Sequence, residues 1–316
     1  MQEAPPDDTS AGAEAFRPYG RAMTAIGETE LFRCLHRGEQ PLVLPNAWDY
    51  CSGAALVAAG FPAVGTTSLG VAAAAGRPDA AGATKDETLS LARRLVRLPV
   101  PVTVDIEGGF GTDPAEVADF ADTLAALGVA GINIEDGRPG GTLADPAHHA
   151  ELVAAIKART PEVFVNARVD TYWLNIDHDS TLDRAEQYRS AGADGIFVPG
   201  LREPDDIRRV VAAIPLPLNV LSLPGGPSVA QLGALGVRRV STGGLLFRAA
   251  IAAAVGTARA VRAGRPSPNV PSYADIQALI DDPRRRWCQD ASGSTSVNTS
   301  GDEVATPNGE ISLRIE

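Results

Sequence analysis

Eight short apolar runs, each followed by a stretch of helical periodicity, constrain this 316-residue chain more than any other feature. The runs are PLVLPN (41–46), AVGTTS (63–68), VPVTVDIE (100–107), GINIED (131–136), VFVNARVD (163–170), GIFVPG (195–200), LPLNVLS (216–222) and RRVSTG (238–243). Between them lie segments such as PAEVADFADTLAALG and AEQYRSAGA, apolar at spacings of three and four and closed by glycine. Eight strands alternating with helices over about 250 residues match a (β/α)8 TIM-type barrel. A doubly wound open sheet is the alternative, weakened because no G-x-G-x-x-G opens a helix after a strand.

Composition narrows the partners. A net charge of −11 argues against a nucleic-acid or anionic-membrane surface. Cys34, Cys51 and Cys288 lack metal-ligand spacing and fit a reducing cytoplasm. The first residues are acidic and Pro-rich, unlike a signal peptide. The longest uncharged run, 51–76, is broken by Pro62 and several glycines and is no membrane span. Residues 1–24 are expected to form a flexible arm, 25–289 the barrel with its C-terminal helices, and 290–316 a flexible polar tail.

Polar residues gather where the strands end. Asn46, Ser68, Asp105, Glu107, Glu135, Arg168, Asp170, Asn219 and Ser241 all lie at or just past a strand's C-terminal end, the face on which barrels do chemistry. On an extended backbone Asp105 and Glu107 point to the same side. Gly108, Gly109 and Gly111 then let the chain pass close to a ligand. Paired acids repel unless a cation lies between them, and a hard divalent ion bound through oxygen is the simplest answer. Solvent-facing acids capping the next helix are the alternative. Asn133 and Glu135 share one face of the fourth strand, next to the third, which brings a further carboxylate to the same volume. Arg168 suits bidentate binding of a carboxylate or phosphonate, or else an ion pair with Asp170 or another strand-end acid.

Taken in order, PNAWD (45–49), TTSLGVAAAAGRPD (66–79), DIEGGFG (105–111), NIED (133–136), NARVD (166–170), GADGIFVPG (192–200), PLNVL (217–221) and GVRRVSTG (236–243) resemble the isocitrate lyase/phosphoenolpyruvate mutase superfamily. The resemblance implies Mg2+, with Mn2+ as the alternative, held largely through water near Asp105, Glu107 and Glu135, with Asp79 close by. It implies a small 2-oxo or 2-hydroxy carboxylate, or a phosphonate, cradled by backbone N–H groups of Ser68 and Leu69 and gripped by Arg168. Chemistry then passes through a pyruvate enolate. Asn133, Asn219 and Trp48 are candidate pocket residues, although packing explains Trp48 equally well. The segment 244–264, lined with small apolar residues, matches an eighth helix exchanged between subunits of a homodimer or homotetramer; a plain buried helix would look similar.

One segment departs from that pattern. Lyases of the superfamily carry K-K-C-G-H or K-R-C-G-H after the fourth strand, and the mutases a longer loop with Lys and Asn-Ser. Here GRPGGTLADPAHHAEL (137–152) has no Cys, Lys or Asn. Arg138, Thr142, His148 and His149 are the candidate replacements. Thr142 is expected to reach substrate if the loop closes. The two histidines follow an Asp145–Pro146 helix start and are expected on that helix's surface. A carbon–carbon lyase, a phosphorus–carbon mutase or hydrolase, and a 2-oxo-acid-binding barrel with little turnover are the resulting expectations.

Overall fold

A computed structural model describes residues 27–266 and 268–283. The expected arm at 1–24, the tail at 290–316 and Cys288 lie outside the described residues. All eight runs form parallel strands: β1 (Leu42–Leu44), β2 (Val64–Thr66), β3 (Val102–Asp105), β4 (Gly131–Glu135), β5 (Phe164–Arg168), β6 (Gly195–Phe197), β7 (Leu218–Leu221) and β8 (Arg239–Ser241). From β2 to β8 each pairs with its sequence neighbour, and β1 pairs with β8. Pro45 has no N–H for the ladder and breaks the first stave. Its second piece, Asn46–Ala47, pairs with β2, so the first stave closes the ring. The architecture is a (β/α)8 TIM-type barrel.

Local sequence sets where the helices begin. Asp49 and Ser52 form a reciprocal capping box, as do Ser228 and Gln231. Asp113 and Asp145 each cap a helix whose first residue is proline. Apolar side chains between the strands and surrounding helices make the main core. A second cluster closes the N-terminal end of the barrel, where helix Glu28–Leu35 inserts Phe32 against Leu42, Leu44, Ala63, Ala130 and Phe164. Gly131 is required there, since a Cβ at that position would stand 2.9 Å from Cε1 of Phe32.

Two features differ from expectation or stand out. His149 is not a surface residue: it is fully buried, its ring edge-on to Tyr188 at 4.6 Å, because position 149 faces the barrel side of helix Pro146–Arg159. His148, next to it, is partly exposed and 3.5 Å from Glu151. Helix Leu245–Arg262 keeps no residue buried, and leaves Ile251, Val255 and Val261 exposed by 51%, 45% and 61%. Among the described residues no helix is long and apolar enough to cross a membrane.

Burial has a pH consequence. Desolvation lowers His149 and His36 to about 3, so both stay neutral in the fold. The unfolded chain takes up those protons below its ordinary histidine value of about 6.5, and stability is lost as pH falls from there toward 3. His149→Phe should flatten that loss by about 1.4 kcal/mol per pH unit, read from urea midpoints at pH 6.5, 5.5 and 4.5. An unchanged slope would contradict the neutral buried ring.

Candidate active site

The C-terminal rim of the barrel surrounds a cavity of about 390 Å³. Its floor and walls include Asp105 from β3, Asn133 and Glu135 from β4, Arg168 from β5 and Ser241 from β8. Ser68 and Leu69, in the first turn of helix Ser68–Ala74, line it as well, together with Asp79. A larger groove of about 670 Å³ lies elsewhere, around Arg202, Arg208 and Gln231. Its arginines are in exposed pairs with Glu203 and Asp205.

Arg168 is the hub of the rim. Its Nη1 lies 2.6 Å from Glu135 Oε2 and its Nε donates to Asp170 Oδ1 at 2.6 Å. Burial works against the guanidinium charge, but Glu135, Asp170 and Asp105 outweigh it and hold Arg168 protonated. Glu135 is pushed above the usual carboxyl range by burial, with Asp105, Asp170 and Asp79 adding to the shift and Arg168 opposing it. Beneath this pair, Asp136 accepts from the Asp170 amide, Tyr188 Oη and Arg184 Nη1, tying the end of β4 to the end of β5.

Asp105 faces the cavity with Oδ2 taking the Ser68 amide and Oδ1 the Glu107 amide, both at 3.3 Å. Glu107 does not join it. The strand ends at Asp105, and Glu107 sits at φ 50°, in the left-handed region, so the extended geometry that would align the two carboxylates is absent. Its carboxylate instead accepts from Thr84 Oγ1 at 2.7 Å and from the Gly82 amide at 2.8 Å, anchoring the segment after Asp79 outside the cavity. Among the described residues, no three His, Cys, Asp or Glu side chains are grouped to ligate one metal ion directly.

Three further expectations are corrected. Trp48 lines a separate groove with Val71, Ala74 and Leu91, and packs edge-on against Phe247 at 5.4 Å. Asn219 is buried below the floor, where its Oδ1 accepts from Ser241 Oγ at 3.1 Å. Thr142 is exposed on a two-strand hairpin, Gly137–Arg138 with Thr142–Leu143, and does not line the cavity. The hairpin contributes Arg138 instead. Its Nη1 donates to the Glu135 and Gly137 carbonyls at 2.7 and 2.8 Å, and it lies over Gly108, where an added Cβ would stand 2.6 Å from that nitrogen and push the guanidinium aside.

The family model described as "Phosphoenolpyruvate phosphomutase" matches residues 32–262. The chain belongs to the phosphoenolpyruvate phosphomutase family. It is 48% identical over 257 residues to the uncharacterized protein Rv1998c of Mycobacterium tuberculosis (strain ATCC 25618 / H37Rv), covering 81% of this chain and 98% of that one. It is 31% identical over 219 residues to the 2-methylisocitrate lyase of Salmonella typhimurium, covering 65% of this chain and 74% of the lyase. Its fold matches the crystal structure of phosphoenolpyruvate phosphomutase from Streptomyces platensis subsp. rosaceus at TM-score 0.72 and 25% identity, over 81% of this chain and 96% of the other.

This phosphomutase-family chain is an enzyme whose site also holds residues that its motifs do not reveal. Arg248, one turn into helix Leu245–Arg262, lines the cavity, as does the exposed Trp173, whose ring lies 5.9 Å from the Arg168 guanidinium carbon. Arg239 lies fully buried inside the barrel. Arg239 shares strand parity with Ser241, which is the signal that places it inward; Arg248 carries no signal until its helix is placed over the rim. Neither Cys34 nor Cys51 lines the cavity. The anchoring role of Glu107 is testable: Glu107→Ala leaves the buried Thr84 hydroxyl without its acceptor and frees the Gly82 amide, and should cost about 1–3 kcal/mol, seen as a lower urea midpoint. An unaltered midpoint would count against it.

Proposed function

We propose that this enzyme is a Mg2+-dependent lyase that breaks a carbon–carbon bond in a small 2-hydroxy or 2-oxo dicarboxylate through a pyruvate-enolate-like intermediate. The observation that carries the proposal is the sharing of one cavity by the carboxylates Asp79, Asp105 and Glu135 and the guanidiniums Arg138, Arg168 and Arg248. Acids alone would fit a cation and arginines alone an anion. Together they fit an anion bound alongside a cation.

The donor set suits a hydrated ion. Mutual repulsion among Asp79, Asp105 and Glu135 contributes to the raised carboxyls of Asp79 and Glu135, although burial is the larger cause. Mg2+ keeps several waters and needs only one or two carboxylates from the protein. Asp105, with Glu135 beside it, would hold Mg2+ or Mn2+, and Asp79 lies across the same cavity, free for another role; Glu107 supports that wall from behind. When bound, the ion stabilises negative charge developing on the 2-oxo acid.

The protein's own groups take the remaining roles. Arg248 has no acid partner among the described ion pairs and is the cation best placed to take a distal carboxylate. Arg168, already shared by Glu135 and Asp170, fixes those acids while presenting charge to the ligand. In a retro-aldol cleavage a base takes the hydroxyl proton, the broken bond's electron pair becomes the enolate, and an acid protonates the enolate carbon. Asp79, pushed upward by partial burial and by Asp105, is the cavity carboxyl we assign to proton transfer. The same arginines suit a phosphonate, which keeps a phosphorus–carbon reaction as the second reading.

Release of pyruvate or glyoxylate from a panel of 2-hydroxy and 2-oxo dicarboxylates, dependent on Mg2+, is the expected result. Orthophosphate from phosphonopyruvate would favour the second reading, and oxalate binding with no turnover would remove both. Asp79→Asn should lower kcat by about 100-fold or more while oxalate affinity holds within about threefold.

We also infer that helix Leu245–Arg262 docks on a second copy, exchanged within a homodimer or homotetramer. Its exposed Ile251, Val255 and Val261 support this, because a continuous apolar helix face in water calls for a cover. Val255→Asp should shift the mass measured by light scattering toward the monomer; a wild-type monomer would refute the docking.

A further inference from the structure

Arg239 has no place in the roles assigned so far. It is fully buried on β8 and crosses the barrel interior toward β4. Its Nε donates to Ser241 Oγ at 3.1 Å and its Nη2 to Asn133 Oδ1 at 3.2 Å, while the Phe32 ring lies 5.9 Å from its guanidinium carbon. No carboxylate forms an ion pair with it among the described residues, and Nη1 has no protein partner. Burial lowers it to about 9, with Asp105 opposing the shift, so it remains a cation at neutral pH. A guanidinium held in a barrel core without an acid is costly, and packing alone would be served better by an apolar side chain.

The residue it touches explains its use. Asn133 Oδ1 accepts from Arg239 Nη2 and also from Asn166 Nδ2 at 2.9 Å. Both donors therefore fix which end of the carboxamide is oxygen: flipping the group would set its NH2 against two N–H groups. Asn133 lines the cavity floor, and its nitrogen is the end left for a ligand. We propose that Arg239 is a positioning residue that locks the Asn133 carboxamide with its NH2 toward the ligand, so that Asn133 donates to an enolate-type oxygen. This rests on the function proposed above and adds the floor of that same site. A donor held before the ligand arrives needs no reorganisation when charge develops, the condition under which such donors contribute most. The lock spans three staves, β4, β5 and β8, so it exists only in the closed barrel.

The test uses oxalate, a stable mimic of a pyruvate enolate, titrated calorimetrically into the full-length protein with saturating Mg2+. Asn133→Ala and Arg239→Met should each weaken oxalate by about tenfold. The double variant should be no weaker than about tenfold, because Arg239 acts through Asn133 and the two losses do not add. Unchanged affinity in either single variant, or a double loss near the product of the two, overturns the proposal. If Arg239→Met fails to fold by circular dichroism, Arg239→Lys replaces it. Lysine keeps the charge but not the fork that bridges Ser241 and Asn133, so about the same tenfold loss is expected and unchanged affinity overturns the lock. A wild-type protein that binds no oxalate overturns the proposed function and this inference with it. Wild-type binding with unaffected variants overturns the inference alone.

Discussion

The ionic unit of Arg168 between Glu135 and Asp170 is the interaction on which the rim depends. Each of these groups is buried enough that leaving one unpaired would cost several kcal/mol. Held together, they fix the ends of β4 and β5 side by side. Asp136, the residue after Glu135, adds a second tie through Arg184 and Tyr188. The cavity inherits its shape from those two strand ends. Its polarity comes from what the unit leaves over: more carboxylates than Arg168 can neutralise, and arginines arriving from elsewhere.

That imbalance connects fold to chemistry. Asp79 and Glu135 carry raised carboxyls mainly because burial disfavours their charge, and partly because each senses Asp105. A fold selected for stability alone would disperse such acids. This one supports them with backbone donors: the Ser68 amide to Asp105 and the Gly82 amide to Glu107. The second case is instructive. Glu107 lies next to the cavity in sequence, yet its side chain organises the loop that carries Asp79, acting on the site from outside.

Much of the barrel is legible in the chain. All eight strands fall inside the apolar runs, since parallel strands buried on both faces must be continuously apolar. The cavity placement of Asp79, Asp105, Asn133, Glu135, Arg168, Ser68 and Leu69 follows from strand ends and ordered motifs. Glu107 escapes that reading because a left-handed residue two positions beyond Asp105 rotates the side chain away, and no i, i+2 rule survives that turn. Trp48 and Asn219 sit at the expected strands but at a different depth or side. For His149, the helix cap says where the helix starts and nothing about which face meets the barrel.

The sequence by itself determined the barrel, the order of its staves and the rim at which polar groups collect, because strand and helix periodicities and capping residues are local properties. Tertiary structure alone decided the depth and partner of each polar side chain. Arg239 meets Asn133 across 106 positions of chain, and Arg248 reaches the cavity only because the helix after β8 starts at the rim. Contacts of that separation depend on ring closure, which no local pattern encodes.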